Sequence, residues 1–206
     1  MSSPSNTGRG VDEAMQLRRD AGRALADDAE KVAEVCHDMA VRFHRGGKLV
    51  VFGNGGASAD AAHIVVEFVH PVIVGKRALP AISLNGDIAT ITDVGNGEGF
   101  AEVFAHQLRY LADPQDIALG VSPDGNCVNV RRALAAAGEM GLLTVALAGG
   151  DGGAIAADGV ADHVLVAHSD NPVVVKEIHV TTYHILWELV HVFFERPGVL
   201  GPEVVA

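Results

Sequence analysis

Two ionisable side chains, His63 and Glu67, stand four residues apart among apolar neighbours in the segment 58–69. At helical spacing they share one face. A histidine and a carboxylate so placed can bind a metal or exchange protons with a substrate. Such pairs also occur on solvated faces, but the apolar residues around this one indicate a mostly buried helix, which favours a functional role for Glu67.

A glycine-rich segment, Gly53–Gly56, follows a short apolar run and directly precedes that helix. Glycine allows a ligand to approach the backbone closely, and a helix N-terminus presents unpaired N–H groups. We interpret the segment as a cradle for an anion or a hydroxyl group rather than as a ligand-free turn. Dinucleotide binding is a weaker interpretation, because the spacing is not G-x-G-x-x-G and no acidic residue ends the next strand at the usual distance.

The segment Ser122–Asn126 holds the same position between a later apolar run and a helix. A phosphate could bind at the N-terminus of that helix as well. Asp124 opposes this, since its carboxylate would itself accept from the free N–H groups and would repel a phosphate.

The last helical segment, from about Val173 to Glu195, is apolar nearly all round and must therefore be buried on most sides. In a chain of 206 residues this indicates oligomerisation. Ionisable groups on such a helix are costly unless paired or functional. A single histidine there is more often part of the core, but the number of these groups favours a pocket. They are Lys176, Glu177, His179, His184 and His191.

These segments belong to an alternation of apolar runs and amphipathic stretches. The apolar runs predict five strands, at Lys48–Phe52, Pro80–Leu84, Ile117–Val121, Leu143–Ala148 and His163–Val166. Helices are predicted near 58–69, 100–112 and 126–140. Strands that alternate with helices predict an α/β domain with a parallel sheet covered on both faces. Such sheets bind ligands beyond the carboxyl ends of their strands, where both turns lie.

The N-terminal part is predicted as a disordered segment, 1–10, followed by one helix over 11–45. That helix carries a stripe of apolar residues that suits packing on another helix. Packing within the chain and packing between subunits fit it equally well. The stripe consists of Leu25, Ala29, Val32, Cys36, Met39 and Phe43.

Composition excludes several classes of function. With 26 acidic and 15 basic residues the net charge is −11, which repels nucleic acid and anionic lipid. Cys36 and Cys127 form no disulfide framework, so we expect a cytoplasmic protein. The polar N-terminus is unlike a signal peptide, and the most apolar stretch, Ile64–Val74, is too short and too polar to span a membrane.

Several motifs together carry a resemblance that covers roughly residues 11–196. They are Val51–Gly56, Asp60–His63 with Glu67, Val94–Asn96, Ser122 with Gly125-Asn126, Asp151–Gly153, and Glu177–His179 with His184. This set resembles the phosphoheptose (sedoheptulose-7-phosphate) isomerase family, which has the sugar isomerase (SIS) fold.

The resemblance implies one SIS domain over 11–200, a three-layer αβα sandwich around a five-stranded parallel, flavodoxin-like sheet. It implies a homotetramer packed through the N-terminal helices, with active sites between subunits. It also implies aldose–ketose isomerisation of a sugar phosphate through an enediol, with Glu67 and His184 as the acid–base pair. The corresponding substrate-binding positions are Asn54, Gly55, Gly56, Ala57, Ser58, Asn96, Ser122, Asp124, Asn126, Cys127 and Lys176.

The chain departs from the family pattern where the phosphate would bind. Ala57 replaces a serine, and Pro123, Asp124 and Cys127 replace the hydroxyl residues of a Ser-Thr-Ser-Gly-Asn-Ser turn. Lost hydroxyl donors and an added carboxylate weaken phosphate binding. Two alternatives therefore stand beside a sedoheptulose-7-phosphate isomerase: a non-catalytic sugar sensor or protein-binding adaptor, and an isomerase of a related sugar with an altered phosphate site.

Some family members hold zinc, using the positions of His63, Glu67 and His184 together with a glutamine. Here Lys176 takes the place of that glutamine. An ammonium group is not a ligand and repels a cation, so zinc is disfavoured and no other cofactor is implied. Lys176 is expected instead to bind an anionic substrate group, or to pair with Asp124 or Glu67.

Overall fold

The computed structural model of the protein describes residues 4–196 and 198–200, with side chains from residue 10 onward. Its centre is a sheet of five parallel strands in the order β2-β1-β3-β4-β5. The strands are β1 (Leu49–Gly53), β2 (Ala81–Ser83), β3 (Ile117–Ser122), β4 (Leu143–Gly149) and β5 (His163–Ala167). β1, β3 and β4 are buried along their whole length, as their continuous apolar runs predict.

Eight α-helices accompany the sheet within the described residues. They are α1 (Pro4–Asp27), α2 (Ala29–His44), α3 (Gly56–Val69), α4 (Ile88–Gly97), α5 (Val103–Leu111), α6 (Val128–Glu139), α7 (Gly153–Ala157) and α8 (Pro172–Phe194). A short 3-10 turn, Phe100–Glu102, precedes α5.

Alternate residues of β1 point into two separate cores. Leu49 and Val51 join a cluster with apolar residues of α1, α2, α3 and α8. Val50 and Phe52 join a second cluster with residues of α4, α5 and α6. Because a strand sends successive side chains to opposite faces, the sheet separates two helical layers. The expected three-layer α/β sandwich with a five-stranded parallel sheet is therefore confirmed.

The N-terminal helix differs from its prediction in two respects. It is helical from Pro4, inside the segment expected to be disordered, while residues 1–3 lie outside the described part of the chain. Extending a packed helix by a few residues costs much less than starting one, and proline is tolerated in a first turn. The single helix predicted over 11–45 is in fact two, because the chain turns at Asp28, the N-cap residue of α2.

Most of the apolar stripe of the N-terminal segment packs within the chain. Val32, Cys36, Met39 and Phe43 are buried in the first core, whereas Ala29 is exposed. α8 has a buried face and an exposed face in the single chain, so its burial on most sides, expected from oligomerisation, stays a prediction. Among the helices described, none combines the length and the apolarity needed to cross a membrane.

Candidate active site

Facing side chains of α3 and α8 bring together the two predicted acid–base residues. Glu67 and His184 lie beside His63, and one ligating atom from each of the three falls within 4.8 Å of the others. His63 Nε2 is 3.2 Å from Glu67 Oε1, and the Tyr183 hydroxyl is 2.8 Å from His63 Nδ1. The pairing of Glu67 with His184, which the resemblance implied, thus has a geometric basis within one chain.

Tyr183 determines how neutral His63 is protonated. Desolvation raises the pKa of Tyr183 to about 12, and the carboxylates of Asp60 and Glu67 add to this. The phenol therefore keeps its proton at neutral pH, and Nδ1 of neutral His63 can accept its O–H when Nε2 carries the imidazole proton. Neutral His63 then carries its own proton on Nε2 and donates it to Glu67, which holds that carboxylate in place.

His184 is the accessible member of this group. Its ring packs edge-on against His63 at 5.2 Å between centroids and against Tyr183 at 4.9 Å. The side chain is exposed, whereas that of Glu67 is only 15% exposed. Packing therefore orients the imidazole while leaving it open to a ligand.

Lys176 makes contacts that the sequence did not predict. Its Nζ donates to Asp60 Oδ1 at 2.6 Å and to the Gly56 carbonyl at 3.0 Å. The expected pairing with Asp124 or Glu67 is wrong, because Lys176 on α8 lies opposite the first turns of α3. Glu67 lies about 10 Å further along that helix than Asp60, from seven residues at 1.5 Å each.

The glycine loop before α3 is held from two sides. The Gly53 N–H donates to Asn85 Oδ1 at 3.3 Å, and Asn85 Nδ2 donates to the Gly53 carbonyl at 2.8 Å. The amides of Asn54 and Asn129 exchange two hydrogen bonds, of 2.7 and 2.9 Å. Gly55 has φ of 54°, a conformation that favours glycine.

In the second turn, Ser122–Asn126 at the end of β3, most polar groups form hydrogen bonds within the turn or with its immediate neighbours. Ser122 is fully buried, and its Oγ accepts from the Cys127 N–H at 3.2 Å. Exposed Asp124 accepts from the Asn126 N–H through Oδ1 at 3.0 Å, and Asn126 Oδ1 accepts from the Ala154 N–H. Asp124 thus accepts from an N–H of the turn, one residue before the N-cap of α6, rather than from a free N–H of the helix itself.

Two cavities meet near these turns. A cavity of about 200 Å³ is lined by Gly56, Ala57, Asp60, Lys176 and His179, among others. A neighbouring cavity of about 600 Å³ is lined by Asp124, Asp151 and Asp170, among others. Pro123, Pro172 and Val175 border both. The lysine and the three aspartates therefore face different spaces.

The remaining predicted residues have varied surroundings. Ala57 is buried, and the hydroxyl of Ser58 donates to the Gly55 carbonyl at 2.7 Å. Asn96 is exposed near the end of α4, which packs against α5 rather than against α3 or α8.

The ionisable groups of α8 do not all belong to one pocket. Glu177 pairs with Arg18, and the two ring nitrogens of buried His191 lie within 3 Å of the carbonyl oxygens of Trp187 and Arg77, one of which a neutral ring can bond. Buried His179 lies 2.9 Å from the Ala148 carbonyl, to which its Nε2 must donate. Desolvation lowers the pKa of His179, so this ring is neutral at neutral pH.

Sequence reasoning missed four residues that shape the site: Asp60, Tyr183, Asn85 and Asn129. Asn85 follows the end of β2, a position where strand ends of a parallel sheet place ligand-binding groups, so that signal was available. Asp60 lies three residues before His63 and seven before Glu67, on the same helix face. Tyr183 and Asn129 are recognisable only from their contacts.

The chemistry of the cluster His63, Glu67 and His184 fits a zinc ion. Two histidines and one glutamate are a known set of protein ligands for catalytic zinc, with water as the fourth ligand. The spacing of the three ligating atoms allows one ion to contact them all. Lys176 is engaged by Asp60 and Gly56 and would not take part.

Comparison with known proteins agrees with this architecture. Residues 13–149 match the family model of the SIS domain. The chain is 41% identical over 193 residues to phosphoheptose isomerase of Solidesulfovibrio magneticus, covering 93% of this chain and 92% of the relative. It is 39% identical over 191 residues to phosphoheptose isomerase of Nitratidesulfovibrio vulgaris, covering 92% and 89%.

Solved structures give the same result. The fold matches phosphoheptose isomerase of Francisella tularensis with a TM-score of 0.82 at 30% identity, covering 93% of this chain and 99% of that one. The Neisseria gonorrhoeae phosphoheptose isomerase matches with a TM-score of 0.77 at 29% identity, over 90% and 97%. The chain therefore belongs to the phosphoheptose isomerase family of SIS-domain proteins.

Proposed function

We propose that this protein is a phosphosugar isomerase that interconverts an aldose and a ketose, with sedoheptulose 7-phosphate as its ketose substrate. The observation that carries the proposal is the juxtaposition of Glu67 and His184 at a half-open site between α3 and α8. Identity of about 40% to named phosphoheptose isomerases over most of the chain supports the choice of substrate.

In the proposed mechanism, Glu67 moves the carbon-bound proton. Its carboxylate removes a proton from the hydroxyl-bearing carbon next to the carbonyl, which gives an enediol, and returns that proton to the former carbonyl carbon. The bond from His63 Nε2 holds Oε1 of Glu67 and leaves Oε2 free to face the substrate. The shielded position of this carboxylate strengthens its interaction with a reacting group.

His184 serves the oxygens in the same mechanism. Its exposed imidazole gives a proton to the carbonyl oxygen as the enediol forms and takes one from the neighbouring hydroxyl as the new carbonyl forms. No net proton is gained or lost over the cycle. Tyr183 and His63 act as positioning residues, because they orient Glu67 and His184 through bonds and ring contacts.

We further propose that these steps need no metal ion. If zinc binds, His63, Glu67 and His184 would hold it, and it would polarise the substrate carbonyl. Binding would require His63 to give up its Nε2 proton and its bond to Glu67.

A coupled assay with sedoheptulose 7-phosphate tests both proposals. We expect Glu67→Gln to lower kcat by roughly 10²- to 10⁴-fold, the usual share of general acid–base catalysis. Glu139→Gln, at the exposed end of α6, is the matched control and should keep wild-type activity. Wild-type turnover no greater than that of Glu67→Gln would contradict the isomerase proposal. Loss of activity after EDTA treatment that zinc restores would contradict metal independence.

We also propose that the protein works as a cytoplasmic homotetramer. A groove of about 440 Å³ between α1, α2 and α8 supports the assembly, since it is lined by apolar residues such as Leu25, Ile185 and Leu189. The free cysteines, Cys36 and Cys127, support a reducing compartment, which cell fractionation would check.

A further inference from the structure

Within the described residues, Lys176 has one hydrogen-bond donor left over. An ammonium group carries three N–H donors. Two of them are used, by Asp60 Oδ1 at 2.6 Å and by the Gly56 carbonyl at 3.0 Å. The side chain of Asp60 is 6% exposed, whereas that of Lys176 is 44% exposed. A buried carboxylate thus fixes an ammonium group whose third donor is available to a ligand.

The cavity beside Lys176 is suited to an anion. Of the residues that line this space of about 200 Å³, Lys176 is the cationic one, and the carboxylate of Asp60 is already paired with it. His179, on the same wall, is neutral because burial lowers its pKa. The first turn of α3, at Gly56 and Ala57, also borders the cavity, and its dipole favours negative charge.

The neighbouring turn after β3 is not suited to an anion. Asp124 lies on that turn and faces the larger cavity, which Asp151 and Asp170 also border. Three carboxylates repel a phosphate dianion. The most favourable place for an anionic group near the site is therefore the Lys176 side of Pro123.

The distance to the reacting residues fits a sugar phosphate. Asp60, which fixes Lys176, and Glu67 are seven residues apart on one helix, which places them about 10 Å apart along its axis. His63, three residues after Asp60 and four before Glu67 on this helix, contacts the hydroxyl of Tyr183 through Nδ1 at 2.8 Å. An extended six- or seven-carbon chain with a terminal phosphate spans a comparable length. Its phosphate would reach Lys176 while its carbonyl end lies at Glu67 and His184.

We propose that Lys176 binds the substrate phosphate through its third N–H and that Asp60 positions it for this role. The ion pair of Lys176 and Asp60 thereby partly replaces, in phosphate binding, the hydroxyl groups that are missing at Ala57, Pro123, Asp124 and Cys127. The proposal rests on the function proposed above, because it takes a sugar phosphate as the ligand.

Isothermal titration separates this role from general charge effects. The ligands are sedoheptulose 7-phosphate and sedoheptulose, and the proteins are wild type, Lys176→Met and Lys31→Met. Lys31 is exposed on α2 and controls for the loss of one positive charge. We expect Lys176→Met to weaken binding of the phosphorylated sugar roughly 10- to 100-fold, the effect of one charge-assisted hydrogen bond. Binding of the neutral sugar should change less than about twofold, and Lys31→Met should behave as wild type.

Asp60→Asn tests the positioning role. Removing a negative charge near a phosphate would tighten binding if only electrostatics mattered. We expect weaker binding instead, because the ammonium group is no longer held towards the cavity. In turnover, Lys176→Met should raise KM and leave kcat within a few-fold. Thermal unfolding of each variant, measured alongside, shows that the folded protein is being titrated.

The possible outcomes distinguish this proposal from the proposed function. The role of Lys176 would be overturned if Lys176→Met bound sedoheptulose 7-phosphate with wild-type affinity or lost equal affinity for both sugars. Tighter binding of the phosphorylated sugar by Asp60→Asn would overturn it too. No binding of the phosphorylated sugar by the wild type would overturn it as well. Turnover with a KM unaffected by Lys176→Met would leave the isomerase intact and refute the role of Lys176. Binding that depends on Lys176 but is not followed by turnover would support the role of Lys176 and refute the isomerase proposal.

Discussion

At the scale of single residues, differences in burial give neighbouring ionisable groups on α8 different protonation states and hydrogen-bonding roles. Burial keeps the phenol of Tyr183 protonated, so that it serves as a donor to His63. It keeps His179 uncharged, so that this ring serves as a donor to the Ala148 carbonyl. His184, by contrast, is exposed and open to a ligand. Similar side chains on one helix thus differ in chemistry because they differ in contact with water.

The lowered pKa of His179 gives a pH dependence of stability. Its folded-state pKa lies below the ordinary value of 6.5, so the unfolded chain binds more protons between the two values. The stability contributed by neutral His179 is complete above pH 6.5 and is lost as pH falls through the folded pKa. We expect the free energy of unfolding to fall over this window by up to about 1.4 kcal/mol per pH unit for this one proton.

Urea unfolding of His179→Gln between pH 7.5 and pH 5 checks this expectation. The variant keeps a side-chain N–H donor but cannot be protonated, so its stability should depend less on pH than that of the wild type. His70→Gln, at an exposed position, controls for the loss of a histidine. Parallel pH curves for the wild type and His179→Gln would show that His179 does not cause the dependence.

Glu67 could be found from the sequence by its spacing from His63, and His184 by the family resemblance, but the residues that contact and fix the site residues could not. His63 and Glu67 stand out because a four-residue spacing places them on one helix face. The contact between Lys176 and Asp60 joins residues that are 116 positions apart, on helices whose relative rotation depends on packing across the whole first core. Periodicity indicates which face of a helix is buried, but not which side chain of another helix meets it.

At the scale of elements, the continuous apolar runs predicted all the strands, whereas two short helices, α4 and α7, were not predicted. All five predicted strands are present, with ends that differ by at most one residue. α4 was not predicted, since it contains Gly95 and Gly97, both poor helix formers. Its start is stabilised instead by Asp87, whose Oδ1 accepts from the Thr90 N–H at 3.1 Å. α7 has only five residues, too few to show a period.

The junction of β1 and α3 requires glycine at its strand end. A Cβ on Gly53 would lie 2.8 Å from Ala57 Cβ and 2.8 Å from the Val121 carbonyl oxygen. Because Val121 belongs to the central strand β3, neither neighbour can move cheaply. We expect Gly53→Ala to destabilise the protein by about 1–3 kcal/mol, the usual cost of overpacking.

Gly56→Ala is the matched control for this junction. No atom lies within 4 Å of a Cβ added there, and alanine is favoured over glycine in a helix by about 0.5–1 kcal/mol. Chemical denaturation should therefore show a loss at position 53 and no loss at position 56. Equal effects of both substitutions would refute close packing as the reason for Gly53.

At the scale of the whole molecule, the resemblance to a family implied an assembly that one chain cannot display. The groove between α1, α2 and α8 and the exposed face of α8 are the surfaces that the proposed tetramer would cover. Leu189 lies in this groove and is only partly buried in the single chain. We expect Leu189→Glu to shift the protein from tetramers to smaller species, because it places a charge in an apolar interface.

Sedimentation or light scattering after size exclusion measures this shift. Ile88→Glu, which replaces a 72% exposed apolar residue at the start of α4, is the control and should keep the wild-type mass. A monomeric wild type, or a tetramer unaffected by Leu189→Glu, would exclude this groove as the interface.

The amide contacts around the glycine loop have a consequence for the thermodynamics of binding. Asn85 ties Gly53 to the end of β2, and Asn129 ties Asn54 to α6, so the loop is joined to elements on both sides of β1. A loop fixed before the ligand arrives loses little conformational freedom on binding, and less of the interaction energy is spent on ordering it. The cradle is preorganised, and its affinity depends mainly on which groups the walls around it present to the ligand.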